Sequence, residues 1–455
     1  VDSRSAPNDF DLALVPAAPR SRASNGDANK LTPEDRAAHD WYRFVLSFPP
    51  HLVRDTIQRF SLTGKQRVLD PFCGTGTTIV ECKKLGIPSV GIETNPMAHF
   101  ASRVKADWSP DPDGLVAHAC EVSEHAAELL ESAGIQDDPI LCLESRAVYP
   151  LRTLTPEREA LLLTDSISPQ PLHKTLILLD CLEAQHHPQY HAHEQLALAK
   201  ALVFQISNLH FGPEVGVGPA KSDAPVVALW LAAVQAMADD LRKLRRIEAA
   251  LCEVVHADAR QITQVLEPES IDAVITSPPY PNEKDYTRTT RLESILLGFI
   301  HNKAELQALK RGMVRSNTRG VYKGDDDDRW VAGHAEIQRI AEAIERRRIE
   351  LGKTSGFERL YARVTRLYFG GMARHLAEMR SVLRPGAQLA YVVGDQASYL
   401  RVMIRTGQLM ADIAQSLGYA LIGIDLFRTR LATATKEQLR EEVVLLRWPG
   451  KEALN

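Results

Sequence analysis

The chain has no CxxC pair and no metal-finger spacing. Its six cysteines, Cys73, Cys82, Cys120, Cys142, Cys181 and Cys252, are scattered. That pattern excludes a zinc ribbon and points to thiols in a reducing compartment. Long apolar runs are also lacking. No stretch approaches the roughly 20 apolar residues of a membrane span. The first residues carry no apolar signal core, so a cytoplasmic protein with no membrane partner is expected. An excess of positive charge is missing too. The formal net charge is −4, whereas nucleic-acid proteins are often strongly basic. Composition therefore argues mildly against such a partner, although the distribution of charge matters more than its sum. What is present is ordinary: 455 residues, 44% hydrophobic and 25% charged. This suits a soluble globular protein of about two or three domains.

Residues 1–36 are rich in Ser, Ala, Pro, Asn and Asp and read as a flexible tail, although Thr32 and Pro33 look like a helix start. Residues 37–107 hold a first part of an α/β core. There "RVLD" reads as a short buried strand, "PFCGTGTTIVECKKLG" as a Gly-rich turn and helix, and "SVGIE" as a second strand. Strand, turn, helix and strand make a βαβ unit. Residues 108–245 change character, with helical periodicity over 114–132, 171–185, 193–208 and 225–250. They read as a helical insertion, either a DNA-recognition domain or a brace for the core. Its Gly/Pro-rich segment 210–223 reads as a loop. Strands resume in 246–300 at "CEVVHAD" and "DAVITS". Residues 301–360 form an excursion of mixed charge, and 361–455 supply the last helices and strands.

"DPFCGTGTT" carries the first chemical signal. Gly74 and Gly76 permit positive φ and close approach of a ligand to the backbone. The turn opens a helix whose first N–H groups are unpaired. A phosphate reading fits poorly, because the dinucleotide fingerprint lacks its third glycine and the P-loop its lysine. Glu93, at the end of the next strand, is placed to accept hydrogen bonds from a ribose diol. Together these residues suggest a nucleoside. A plain Gly-turn with a solvated Glu remains the blander alternative.

"TSPPY" carries the second. It follows a strand, as the Gly loop does, so both motifs fall at the C-terminal edge of a parallel sheet. Pro278 and Pro279 fix φ and remove N–H groups, which leaves carbonyls in a stiff frame. Ser277 Oγ and the Pro278 carbonyl can each accept one N–H of an exocyclic amine. Tyr280 can stack on a base. An amine conjugated to a ring is a poor nucleophile, and orientation and polarisation of its N–H bonds lower the barrier to methylation.

On these residues the chain resembles the DNA amino-methyltransferases that use S-adenosyl-L-methionine (AdoMet), and most of all their cytosine-N4 branch. The resemblance covers about half the chain. "DPFCGTGTT" looks like the family's AdoMet loop, "GIETNP" its ribose-binding strand and "HAD" the segment that reads the adenine amine. "SFPPHLV" is similar to the piece that completes the cofactor pocket. The resemblance implies that AdoMet is held by Phe48, Pro49, Asp70, Phe72, Cys73, Gly74, Gly76, Thr77, Thr78, Glu93, Asn95 and Asp258. It implies catalysis at Ser277, Pro278, Pro279 and Tyr280, with S-adenosyl-L-homocysteine as product. The implied fold is α/β, a Rossmann-like methyltransferase core with a mostly parallel seven-stranded sheet, the last strand antiparallel, and a helical insertion domain. The implied reaction is sequence-specific methylation of cytosine N4 in flipped-out bases of double-stranded DNA. A separately encoded restriction endonuclease is the implied partner. Here the AdoMet loop precedes the catalytic loop, whereas many cytosine-N4 enzymes have the permuted order. Adenine-N6 methylation, an RNA amine substrate and a non-catalytic DNA-binding regulator are the rival readings.

Residues 284–323 hold nine Lys/Arg against three acids. Lys284, Arg288, Arg291, Arg315, Arg319 and Lys323 are the candidate DNA contacts, since their mix with Ser, Asn and Thr suits phosphate and base-edge contacts. A solvated charged face is the alternative. Asp325–Asp328 follow, either repelling DNA or standing in for phosphate. His186, His187, His191 and His193 read as a polar turn, and the reaction needs no metal.

Overall fold

The computed structural model describes residues 31–43, 47–137, 150–211, 214–282, 284–431 and 438–451. Most of the expected tail, residues 1–30, lies outside this set, as does Cys142. The strands are β1 (Val68–Asp70), β2 (Ser89–Glu93), β3 (Leu209–Phe211), β4 (Val215–Val217), β5 (Cys252–His256), β6 (Ile271–Thr276), β7 (Leu383–Gly394), β8 (Ala420–Leu431) and β9 (Gln438–Arg447). The helices that matter for the site are α1 (Pro50–Arg59), α2 (Thr77–Lys84), α3 (Pro96–Lys105), α4 (Pro112–Ser132), α5 (Pro169–Ala184), α6 (His191–Ala201) and α7 (Val226–Leu244). In the last third come α8 (Lys303–Gly312), α9 (Ala335–Glu350), α10 (Tyr361–Val382) and α11 (Thr406–Ser416).

Seven strands form one sheet in the order β5-β2-β1-β6-β7-β9-β8. The first five pair in parallel; β9, last in the chain, runs antiparallel between β7 and β8. This is the Rossmann-like α/β arrangement expected from the sequence. The central strands β1 and β6 are buried on both faces, which explains their near-continuous apolar runs. Leu69, Val274 and Leu389 meet Tyr368, Phe369 and Met372 of α10 on one face. Val68, Ala273 and Ile275 meet Leu52, Val53 and Ile57 of α1 on the other. Because β1 and β6 are parallel neighbours, the loops that leave them emerge side by side.

The described residues of the 108–245 stretch hold α4 to α7, a short helical turn at Pro156–Glu159 and the pair β3–β4. Asp111 caps α4 by accepting Gly114 N–H at 2.8 Å, with Pro112 at the first helical position. The stretch shares one core with the sheet side of the molecule: Leu115, Leu178 and Trp230 pack in the same cluster as Trp41, Phe100, Leu292 and Ile295. Two local expectations differ. The helix expected over 193–208 ends as α6 at Ala201 and runs into a single π-helical turn, Leu202–Ile206. The segment expected as a loop holds the antiparallel pair β3–β4, in which Val215-Gly-Val pairs with Leu209-His-Phe. No helix among the described residues is long and apolar enough to cross a membrane.

Candidate active site

The chain leaves β1 at Asp70 and turns through Gly74 (φ +51°) and Gly76 (φ +82°) before α2 starts at Thr77. Both φ values lie where a side chain is strained. A Cβ on Gly76 would also overlap Ser102, whereas one on Gly74 would project into open space. Gly74 is thus the place where backbone can approach a ligand. The loop packs on β2 because Gly91 has no side chain: a Cβ there would lie 2.8 Å from Cys73 Sγ.

Glu93, at the end of β2, closes the floor. Its carboxylate accepts Gly74 N–H at 2.8 Å and Asn95 N–H at 2.7 Å. Burial in the cavity wall pushes it up to about 7 despite these hydrogen bonds. Asn95 lines the same wall, but its side chain caps α3 by accepting Met97 and Ala98 N–H. Behind the loop, Lys105 is 1% exposed and donates to Thr75 O at 2.6 Å and Tyr42 O at 3.2 Å. Desolvation lowers it to about 7.

A cavity of about 340 Å³ opens above these groups, within the usual range for a small-molecule site. Phe48, Phe72, Cys73, Gly74, Thr77, Glu93 and Asp258 line one side; Ser277, Pro278, Pro279 and Tyr280 line the other. The two motifs, some two hundred residues apart, therefore share one space. Ser277 Oγ donates to Val392 O at 3.3 Å. Tyr280 lies against Gly394, where a Cβ would come within 2.9 Å of the ring. Burial, with the Glu441 carboxylate nearby, raises the Tyr280 phenol well above its ordinary value.

Four residues expected to hold the cofactor do not line the cavity. Asp70 is fully buried beneath it, accepting Thr276 Oγ1 at 2.6 Å and Phe72 N–H at 3.2 Å. Burial pushes its carboxyl up to about 6. Thr78 donates to Ile275 O at 3.2 Å. Both tie β1 and α2 to β6 and so fix one motif relative to the other. Gly76 shapes the turn, and Pro49 stands at the N-cap of α1.

The expected DNA cations split into two groups. Arg315 is 4% exposed and is not a surface cation. Its guanidinium holds both Asp325 oxygens at 2.8 Å and the Lys310 carbonyl. Arg291 is half-buried and donates to Thr287 and to Leu161 O. Arg288 is half-buried as well. Lys284 lines the cavity, lowered by burial and by Arg430. Arg319 and Lys323 are exposed. Three of the four residues Asp325–Asp328 are paired with arginines. Asp325 binds Arg315, Asp327 binds Arg260 and Arg374, and Asp326 binds Arg329.

Several lining or supporting groups escape a reading of the sequence. Arg260 holds the Asp258 carboxylate through Nη2 at 2.7 Å and Nε at 3.0 Å, and reaches Asp327 at 2.6 Å. Glu441 on β9 accepts Arg428 Nε at 2.6 Å beside Tyr280. Tyr286 lines the cavity and is pushed up to about 12 by burial. The one advance sign of Glu441 is a pair of acids, Glu441-Glu442, just before the apolar run 443–446. The four histidines lie apart from the cavity wall: His193 is buried on Asp107 O, His187 stacks on Tyr190, and His191 contacts His186 and Glu183.

A family model described as DNA methylase matches residues 20–102, the stretch that includes the Gly loop and Glu93. The chain is also 26% identical over 445 residues to Type II methyltransferase M.BsoBI of Geobacillus stearothermophilus, covering 91% of this chain and 85% of that one. It is 22% identical to Type II methyltransferase M.AvaI of Nostoc sp., covering 93% and 88%. A 67-residue stretch is 36% identical to Type II methyltransferase M.MjaII of Methanocaldococcus jannaschii, 15% of this chain and 12% of that one.

The chain is thus similar to DNA methylases of the amino-methyltransferase family. Such methylases use AdoMet as methyl donor, and the residues lining this cavity suit it. Gly74 leaves room at the backbone, Glu93 offers a carboxylate for a diol, and Phe48 and Phe72 offer apolar walls. Asp258 can accept an amine N–H while Arg260 keeps its carboxylate in place.

Proposed function

We propose that this protein transfers the methyl group of AdoMet to the exocyclic N4 amine of cytosine at a specific sequence in double-stranded DNA. The observation that carries this reading is the state of Ser277. Its hydroxyl lies 3.3 Å from Val392 O and within hydrogen-bonding reach of Tyr280, and a hydroxyl that donates to either keeps lone pairs to accept an amine N–H. The Pro278 carbonyl accepts the second N–H. Tyr280, protonated and backed by Gly394, offers its face to the base. A base inside a duplex cannot reach this cavity, so the target is turned out of the helix.

AdoMet, when bound, supplies a methyl group on a positively charged sulfur. The chain's own part is placement. Glu93, Gly74 and Asp258 hold the donor side, and Ser277 and Pro278 draw electron density onto the amine and aim it. Transfer is direct, with no covalent enzyme intermediate, and the amine proton passes to water afterwards. By analogy with the Type II relatives, a separately encoded restriction endonuclease cutting the same sequence is the natural partner.

The test is to incubate the protein with AdoMet and unmethylated DNA of mixed sequence, digest to nucleosides and weigh the products. N4-methylcytosine is the expected result. N6-methyladenine would overturn the choice of base while keeping the mechanism. The absence of any methylated nucleoside would overturn the reaction.

A further inference from the structure

The structure withdraws several of the cations that the sequence offered to DNA, since Arg315 and Arg291 are spent inside the protein and Lys310 is paired with Asp285. Phosphate-binding groups must then lie elsewhere on the rim that carries the catalytic loop. We propose that the groove between α9 and the first turns of α10, lined by Arg346, Arg359, Arg363 and Arg366, binds the phosphate backbone of the duplex whose base enters the cavity. The proposal rests on the DNA-methylating reading above and extends it to a surface.

Topology places this groove on the right edge. α10 passes straight into β7 at Leu383, and β7 is parallel to β6. The C-terminal end of α10 therefore lies at the far edge of the sheet, and its first turns lie at the edge where β6 delivers Ser277. Side-chain contacts agree. Tyr361 stacks on Tyr399, beyond the end of β7, with ring centroids 4.9 Å apart. Arg363 donates to the carbonyls of Tyr322, Lys323 and Asp325. That segment begins eight residues after Val314, and Gly312–Val314 line the cavity. The groove is thus one layer of chain away from the site.

Its charges are what single it out. Elsewhere on α9 the arginines are satisfied within a turn: Arg339 by Glu336, Arg347 by Glu350 and Arg348 by Glu345. Arg346, Arg359 and Arg366 have no carboxylate within ion-pairing distance among the described residues. Two acids, Glu342 and Glu345, share the groove, and Glu345 is already bound to Arg348. Nearby, Arg319 stands 5.7 Å over the Phe357 ring, exposed and unpaired by any carboxylate among the described residues. Unpaired guanidiniums in a shallow open groove match the spaced, exposed anions of a phosphate backbone. They would carry affinity and register and no sequence information.

The experiment compares the wild type with a variant combining Arg346→Ala, Arg359→Ala and Arg366→Ala. Binding of a fluorescent unmethylated duplex is measured across salt concentrations, and AdoMet binding is measured in parallel. The slope of log affinity against log salt should fall by about two to three, close to one for each phosphate no longer neutralised. AdoMet affinity should stay the same. An unchanged slope overturns the groove as a phosphate site. Loss of AdoMet binding together with DNA binding overturns it as well, because the arginines would then serve the fold. Failure of the wild type to bind or methylate any DNA overturns the underlying reading, and is told apart because the wild type alone reveals it.

Discussion

Asp327 has no place on the cavity wall, yet it governs a residue that does. Arg260 is buried and forked: one end holds the Asp258 carboxylate, the other meets Asp327, and a third donor reaches Arg311 O at 2.8 Å. Burial opposes the charge on Arg260, but the two carboxylates outweigh it and keep the guanidinium firmly protonated. Asp327→Asn keeps the shape and removes the charge that anchors the fork. Arg260 then turns further onto Asp258 and drags its oxygens from the position a ligand amine would meet. The KM for AdoMet should rise on the order of ten-fold, the worth of one charge-assisted hydrogen bond. The rate at saturating AdoMet should change little, because Ser277 and Tyr280 are untouched. Steady-state kinetics separate the two; an equal loss in kcat would show that Asp327 merely supports the fold. No residue-scale signal in the sequence exposed this relay. Glu93 was legible because its partner, Gly74 N–H, lies in the same βαβ unit. Arg260 and Asp327 are 67 positions apart, and only the folded chain brings them together. Arg315 differs: its basic neighbourhood and the Asp run ten residues on are both visible in the sequence, whereas its burial against Asp325 is not.

Among the elements, α10 contains two adjacent glycines that helix propensity alone disfavours. A Cβ on Gly370 would overlap the Asp327 carbonyl and lie 2.9 Å from Asp328 N. The short 3-10 segment Asp327–Val331 thus lies directly on the helix backbone, and this close approach delivers Asp327 to Arg260. Gly370→Ala sets two effects against each other. Helix propensity favours Ala by about 1 kcal/mol, whereas overpacking against rigid backbone costs about 1–3 kcal/mol. The clash here is with main-chain atoms that cannot rotate away, so the second effect wins. The melting temperature should fall by a few degrees, and the affinity for AdoMet should fall with it. A higher melting temperature would show that the segment yields. Strand, Gly-turn and helix were legible at this scale because they are local patterns of period and punctuation. The β3–β4 pair was not, since glycine and proline mark a loop and a hairpin alike. The seat on α10 was not legible either, because a glycine in a helix says only that something is close.

Across the whole molecule, the stretch 108–245 reads in sequence as a separable insertion, but its burial is continuous with the core. Trp41 donates to Asp240 of α7 at 2.9 Å. Arg291 and Arg158 reach carbonyls on opposite sides of the boundary. Trp230, fully buried, donates to Glu194 O within a cluster that also takes in Phe100, Leu292 and Ile295. Each large buried apolar side chain is worth roughly 1.5–3 kcal/mol, so a boundary crossed by several of them is not one the chain can open cheaply. Domains that merely touch through a modest polar interface unfold separately; parts that share a core unfold together. Calorimetry of the intact chain should therefore show a single transition in which the calorimetric and van't Hoff enthalpies agree. Two resolved transitions would mean that the shared cluster contributes less than its burial implies, and that the helical stretch is an independent domain after all. The same reasoning predicts that a chain lacking residues 112–245 is insoluble. Its removal would uncover Trp41, Phe100, Leu292 and Ile295 together, beside the lysine that supports the Gly loop.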